Sequence, residues 1–296
     1  MSQITFVRST HIYDPYRDFW KLVELSGFPT IYENELDITV PGTYIVTPMN
    51  GNFIEHMVGD INYWRETGKA VGGQMGMQKM AGSRRKAHII IWNLERPGGS
   101  GSVWAYGDEC FRWISTRIAD EVWVSDPTLA DETQTRYVVL GSHPGLGELS
   151  DNKEFDFCHM SAVNPRRTHI YKNFSNHTIG PNCWPPERDE VLKKSRFAMN
   201  VHQDNWPFCE PLRIALFAAY GLPVVSETLV GNQPYRGITT ASYHNLANVM
   251  KQALDDDYKH WKNEGMALHQ RLCHELPFGP LVVQAINETV GKGWRW

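Results

Sequence analysis

The run AHIIIWNLE, Ala87 to Glu95, is apolar and rich in β-branched residues, and charge ends it. Such a run reads as a strand buried in a parallel sheet. It has companions of the same character in ITFVRS (Ile4 to Ser9), TYIVTP (Thr43 to Pro48), EVWVSD (Glu121 to Asp126) and RYVVLG (Arg136 to Gly141). Between them lie helix-like stretches. YRDFWKLVELSG places Phe19, Leu22, Val23 and Leu25 near one stripe and stops at Gly27; Glu55 to Thr67 and Glu109 to Ala119 read as further helical connections, the latter with Phe111, Ile114 and Ile118 three and four apart. Strands alternating with helices predict an α/β fold around a parallel sheet.

The segment GSHPGLGELSDNK, Gly141 to Lys153, mixes glycine, proline, serine and charge without periodicity, which is the composition of a connection between domains. A chain of 296 residues is long enough for two. The expected division is 1–148 and 149–296. Beyond it the alternation resumes with EFDFCHMS and THIYKNFS as extended runs, a helix in PERDEVLKKS, a strand in RFAMNVH, the helix PLRIALFAAYG and the strand LPVVSE. LANVMKQALDD, YKHWKNEGMALHQRLCHEL and PLVVQAINETVG then read as three closing helices.

Composition narrows the partners. A hydrophobic content of 42% with 21% charged residues is that of a folded globular chain, and a net charge of −4 gives no overall attraction to nucleic acid or anionic lipid. The start MSQITFVRST has no long apolar signal core, and no run approaches a membrane span, so the expected location is the cytoplasm. Cys110, Cys158, Cys183, Cys209 and Cys273 are odd in number and never form C-x-x-C, so buried free thiols are expected in place of disulfides or a thiolate metal site. No H-E-x-x-H motif is present, His269 and His274 are five apart, and Asp255-Asp256-Asp257 ends an amphipathic helix instead of following a strand. No metal is expected.

Candidate chemistry gathers after the strand RFAMNVH, which ends at His202. The loop QDNWPFC leads to Glu210, and Pro211 suits the first position of a helix, which makes Glu210 its N-cap, followed by Leu212 and Arg213. In an open α/β sheet that position borders the ligand crevice beyond the carboxyl ends of the strands. Glutamate is a poor N-cap beside Ser, Thr, Asp or Asn. Its two oxygens can instead accept from both hydroxyls of a vicinal diol, as an acidic residue holds ribose in dinucleotide sites, which points to a sugar or ribose ligand.

The run CEPLRIALFAAYGLPVVSE, preceded by MNVHQ, resembles the nucleotide-sugar domain of retaining GT-B glycosyltransferases. The specific match covers about thirty residues. The order of elements agrees over nearly the whole chain with what that resemblance implies: two Rossmann-like domains facing each other across a cleft. It further implies an enzyme that moves a sugar from a nucleotide-sugar donor to a hydroxyl acceptor, with no other cofactor. Donor-binding residues would be His202, Glu210, Pro211, Leu212 and Arg213, with Glu210 on the ribose hydroxyls and the helix start facing the diphosphate. Where many relatives carry a second glutamate three residues after the arginine, this chain has Leu216.

NPRRTHIYKN supplies Arg166, Arg167 and Lys172 early in the second domain, where cations would steady a departing diphosphate without a metal. In the first domain, the loop STHIYDPYRD offers His11 and Asp14 as bases should the reaction invert. The segment Lys69 to His88 ends in Arg84, Arg85 and Lys86, read as acceptor-binding cations. Such a segment suits a phosphate-bearing acceptor such as DNA or a lipid phosphate; the resemblance implies either a surface glycan or lipid-linked sugar, or a hydroxymethylated base in DNA. A non-enzymatic nucleotide or sugar sensor on the same paired domains is the rival reading. An oxidoreductase is disfavoured, because Gly145-Leu146-Gly147 lacks the third glycine of a dinucleotide fingerprint.

Overall fold

The computed structural model describes residues 3–8, 17–47, 51–67, 69–76, 85–94, 117–160, 164–179, 187–203, 205, 210–229, 235 and 237–290. The chain divides into two compact units, one of Met1–Ser125, Leu129–Val138 and Asn287–Trp296, the other of Asp126–Thr128 and Val139–Ile286.

The first unit holds strands β1 (Ile4–Arg8), β2 (Thr30–Tyr32), β3 (Gly42–Val46), β4 (Ala87–Asn93), β5 (Glu121–Val124) and β6 (Arg136–Tyr137). All pair in parallel, in the order β2-β1-β3-β4-β5-β6. Of RYVVLG only Arg136–Tyr137 forms a strand, and it lies at the sheet edge. Helices α1 (Arg17–Leu25), α2 (Gly51–Val58), α3 (Ile61–Thr67) and α4 (Pro127–Thr133) accompany these strands. α4, whose first two residues belong to the second unit, was not expected.

The apolar runs are covered on both faces, as their composition requires. Ile89 and Ile91 pack with Val7, Val46, Met57, Val58 and Trp64. The intervening residues meet an aromatic layer in which Phe19 of α1 stands edge-on to Trp92 at 5.6 Å, and Trp92 to Trp123 at 5.4 Å. Trp92 Nε1 donates to Ser125 Oγ at 2.9 Å, so the buried indole is satisfied. The expected helix over Glu55 to Thr67 is broken in two at Gly59. There φ is +78°, and a Cβ would stand 2.0 Å from the Val71 carbonyl. Only glycine fits that approach.

The second unit repeats the plan with β7 (Phe155–His159), β8 (His177–Ile179), β9 (Ser195–Asn200), β10 (Val224–Glu227) and β11 (Ile238–Ala241), parallel throughout and ordered β8-β7-β9-β10-β11. Numbered within its own unit, each sheet therefore begins 2-1-3-4-5, and the direction of winding reverses between the first and third strands. THIYKNFS is not extended. Thr168 to Tyr171 lie in helix α5 (Pro165–Tyr171), because Asn164 caps it through Oδ1, accepting from Arg167 N at 2.8 Å, and Pro165 occupies the first turn.

Then follow α6 (Glu187–Lys194), α7 (Pro211–Ala219), α8 (Tyr243–Asp255), α9 (Tyr258–His269) with a π-helical turn over Gln270–Glu275, and α10 (Phe278–Val290). α7 is apolar almost all round and buries Ile214 to Ala219, as a helix without a solvent face must. The segment 141–153 is packed at its start. Ser142 is fully buried, donating to the Ala215 carbonyl at 2.8 Å, and Leu146 is 1% exposed.

Candidate functional site

Ligands of open parallel sheets bind beyond the carboxyl ends of the strands, where the winding reverses. In the second unit that place lies between β7 and β9. Four chain segments converge on it: the start of α5 after β7, the residues after β9, the end of β10, and the start of α7. Asn164 joins the first two, its side-chain nitrogen donating to the Gln203 carbonyl at 2.9 Å.

Glu210 is the N-cap of α7, but its side chain makes no capping bond. Its carboxylate turns instead to two arginines and a histidine. It pairs with Arg213, stands 3.5 Å from Arg167 Nη2 and lies 3.8 Å from His202 Nδ1. Arg213 Nη1 also donates to Asn200 Oδ1 at 2.6 Å, and Asn200 is oriented by its own bond to Ser226 Oγ at 3.0 Å. Arg167, 2% exposed, gives its Nε to the Val201 carbonyl at 2.9 Å.

Arg166 belongs to the same edge. Both terminal nitrogens reach Glu227 at 2.5 Å, Nη1 also donates to the His202 carbonyl at 2.9 Å, and the guanidinium carbon lies 4.0 Å from the Tyr243 ring centre. Glu227 also accepts from the His202 backbone N–H at 2.7 Å. Glu227, Asn200 and Tyr243 were not singled out from sequence. Glu227 carried a usable signal, a carboxylate ending an apolar strand that runs toward the crevice.

The electrostatics follow from this arrangement. Burial alone would push the Glu210 carboxyl up; Arg213, His202 and Arg167 outweigh it and hold it down to about 2. His202 is driven the other way by burial, yet Glu210 and Glu227 raise it above the ordinary histidine value. Arg166, Arg167 and Arg213 face the two carboxylates of Glu210 and Glu227, which leaves one positive charge in excess, and two when His202 is protonated. A carboxyl-edge site with surplus positive charge suits an anionic group.

The other expected residues are distributed as follows. Pro211 is buried at the first position of α7, and Leu212 is half-buried beside it. Lys172 caps the far end of α5 and is exposed, roughly 9 Å along the helix from Arg166; it is not brought to the cluster. Arg85 and Lys86 immediately precede β4 and so stand at the amino edge of the first sheet, opposite the edge where ligands bind. Arg85 is spent on an ion pair with Asp120 and on the Ile118 carbonyl at 2.5 Å. His11, Asp14 and Arg84 lie outside the described residues, as do Cys110, Cys183 and Cys209.

This placement makes Arg85 a structural residue. Arg85→Ala should lower unfolding stability by about 1 kcal/mol, in keeping with a partly exposed pair. Urea titration reads it.

Cys158 and Cys273 are buried, and burial pushes their thiols up to about 12 and about 11, which makes both inert. Asp257 caps α9, accepting from Lys259 N at 3.0 Å. Among the described residues no group of His, Cys, Asp or Glu is disposed to hold a metal ion, and no helix is long and apolar enough to cross a membrane. Away from this cluster, a cavity of about 340 Å³ opens at the amino edge of the second sheet, beside Lys153, Tyr258 and Lys262. Its lysines are tied to the Lys193 carbonyl at 3.0 Å and to Asp151 at 2.5 Å.

Comparison with known proteins adds the fold. No family model matches the sequence, and no curated protein does. Over its whole length the fold is similar to that of a glycosyltransferase. That protein is AviGT4, involved in avilamycin A biosynthesis; the TM-score is 0.56 at 9% identity, covering 100% of both chains. A GtfA/B complex (TM-score 0.43, 9% identity, 91% of this chain and 59% of that one) and the Gap123 glycosylation-associated complex from Streptococcus agalactiae (0.46, 11%, 91% and 57%) are more distant.

Proposed function

We propose that the protein transfers a glycosyl group from a nucleotide sugar to a hydroxyl acceptor, with the donor bound at the carboxyl edge of the second unit. The observation that carries this reading is the cationic cluster around Glu210, built where a parallel sheet reverses its winding and where α7 begins. Surplus positive charge answers the diphosphate, and the carboxylate answers ribose hydroxyls. In the transfer, the bond from the anomeric carbon to the diphosphate breaks with its electron pair on the phosphate oxygen, the acceptor oxygen forms the new bond, and the acceptor proton passes to that departing oxygen and on to water. Electrostatic support of the departing diphosphate and positioning of the acceptor account for the rate.

The first unit holds the acceptor in this reading. A hydroxyl of a glycan or lipid-linked sugar is favoured over a base in DNA, because Arg85, one of the cations that pointed to DNA, is committed to Asp120. The resemblance in the run 209–227 supports retention at the anomeric centre, which proton NMR of the product reads directly.

Incubation with UDP-, GDP-, ADP- and dTDP-sugars, with and without hydroxyl acceptors, tests the proposal through released nucleoside diphosphate. Release that depends on acceptor is the expected result. Tight binding with no release under any combination would favour the sensor, and no binding at all would remove the donor site.

A further inference from the structure

Resting on that reading of the site, we infer that Arg213 is the cation that touches the diphosphate, and that Arg166 and Arg167 are positioning residues. Sequence position alone had favoured Arg166, Arg167 and Lys172. The hydrogen bonds of the three guanidinium groups separate them.

Each guanidinium carries five N–H donors in one plane. Arg166 spends both terminal nitrogens on Glu227, one of them again on the His202 carbonyl, and turns its Nε to Asn205 Oδ1 at 3.3 Å. Tyr243 covers one face of the ring plane. Arg167 has almost no surface for a ligand to reach.

Arg213 differs from both. Its Nη1 uses its two hydrogens on Glu210 and Asn200, which fixes the plane of the group. The opposite edge, Nε and Nη2, has no hydrogen-bond partner among the described residues, and 17% of the side chain is exposed. That edge presents two parallel N–H groups, the geometry that meets two oxygens of one phosphate.

His202 lies on the other side of the same carboxylate. His202 is 4% exposed, and its Nε2 faces the Thr228 carbonyl at 3.2 Å, so Nε2 carries the hydrogen. Its Nδ1 has no hydrogen-bond partner and lies beside Glu210. The open edge of Arg213 and this nitrogen therefore flank one carboxylate. Glu227 holds Arg166 and the His202 backbone in place behind them.

The test compares each nucleoside diphosphate (UDP, GDP, ADP, dTDP) with its monophosphate by calorimetry, so that the ratio of affinities isolates the terminal phosphate. The wild-type protein should prefer the diphosphate. Arg213→Ala should lose roughly tenfold to a hundredfold of that preference, and Arg213→Lys should recover part of it. Arg166→Lys should weaken both ligands alike and leave the ratio unchanged. Should Arg213→Ala not fold, Arg213→Gln, checked by circular dichroism, takes its place in the same comparison. A preserved ratio in the Arg213 variants, or its loss in Arg166→Lys, overturns the assignment while the donor site stands. If the wild-type protein binds none of the nucleotides, both the assignment and the reading beneath it fall.

Discussion

Glu210→Gln should lower the unfolding free energy by about 3 kcal/mol at pH 7 and by almost nothing near pH 2. The folded carboxyl is held down to about 2, against an ordinary value of 4.5. A group whose folded pKa is depressed stabilises the fold fully above its unfolded value and loses that contribution as pH falls through the folded one. The stabilisation is therefore complete above about pH 5 and drains away between 4.5 and 2. Urea titrations of both proteins at pH 7, 4 and 2 measure it. A constant gap across that range would mean that the cations do not set the charge of Glu210.

The same substitution has a second readout. His202 is raised because Glu210, Glu227 and the Thr228 carbonyl together outweigh its burial, with Glu210 the largest of the three. With Glu210 neutralised, burial remains, and the imidazole should titrate at lower pH, visible in the NMR shift of its ring protons. Its raised value contributes stability below the unfolded value and loses it as pH rises through the folded one. That contribution should shrink in the variant. Nucleotide affinity should fall as well, since the amide cannot accept from two hydroxyls at once.

Gly141→Ala is expected to cost the fold at least about 3 kcal/mol. A Cβ there would stand 1.8 Å from the Leu276 carbonyl oxygen and 2.9 Å from Leu281 Cδ1, so backbone has to move. The neighbouring bonds resist that movement: Ser142 N donates to Leu272 O at 3.0 Å, and Phe278 N to Ser142 O at 2.9 Å. Gly27→Ala is the matched control. It has a φ of +73° and nothing within 4 Å of the added carbon, so only conformational strain of about 1 kcal/mol applies. Equal losses at the two positions would refute the packing argument.

Gly141 also has a use that its sequence context does not reveal. Glycine and proline in 141–153 have the composition of a connection, yet here glycine permits close packing, a use that composition does not distinguish. The long apolar runs were legible because a strand buried on both faces needs them, and β4, β9 and β10 follow those runs. Short strands such as β2, β8 and β11 carry too few apolar residues for a period to show.

At the site, Glu210 stood out because it is the wrong residue for a cap. Glu227, Asn200 and Tyr243 come from other strands and helices, and only the fold brings them to Arg166 and Arg213. Arg85 is an instructive contrast. Its place just before an apolar run already set it at the entry side of the sheet, so the information was present in the order of residues, and its charge drew attention away from it.

The shared strand order of the two units has an evolutionary corollary. Each half contains its own point of reversal and hence its own natural berth for a small molecule. Mutations that retune one berth need not disturb the other, so an ancestral chain of this design could change what one half binds while the other half keeps its ligand. Hybrids that join the front half of one such protein to the rear half of another are the laboratory version of that history.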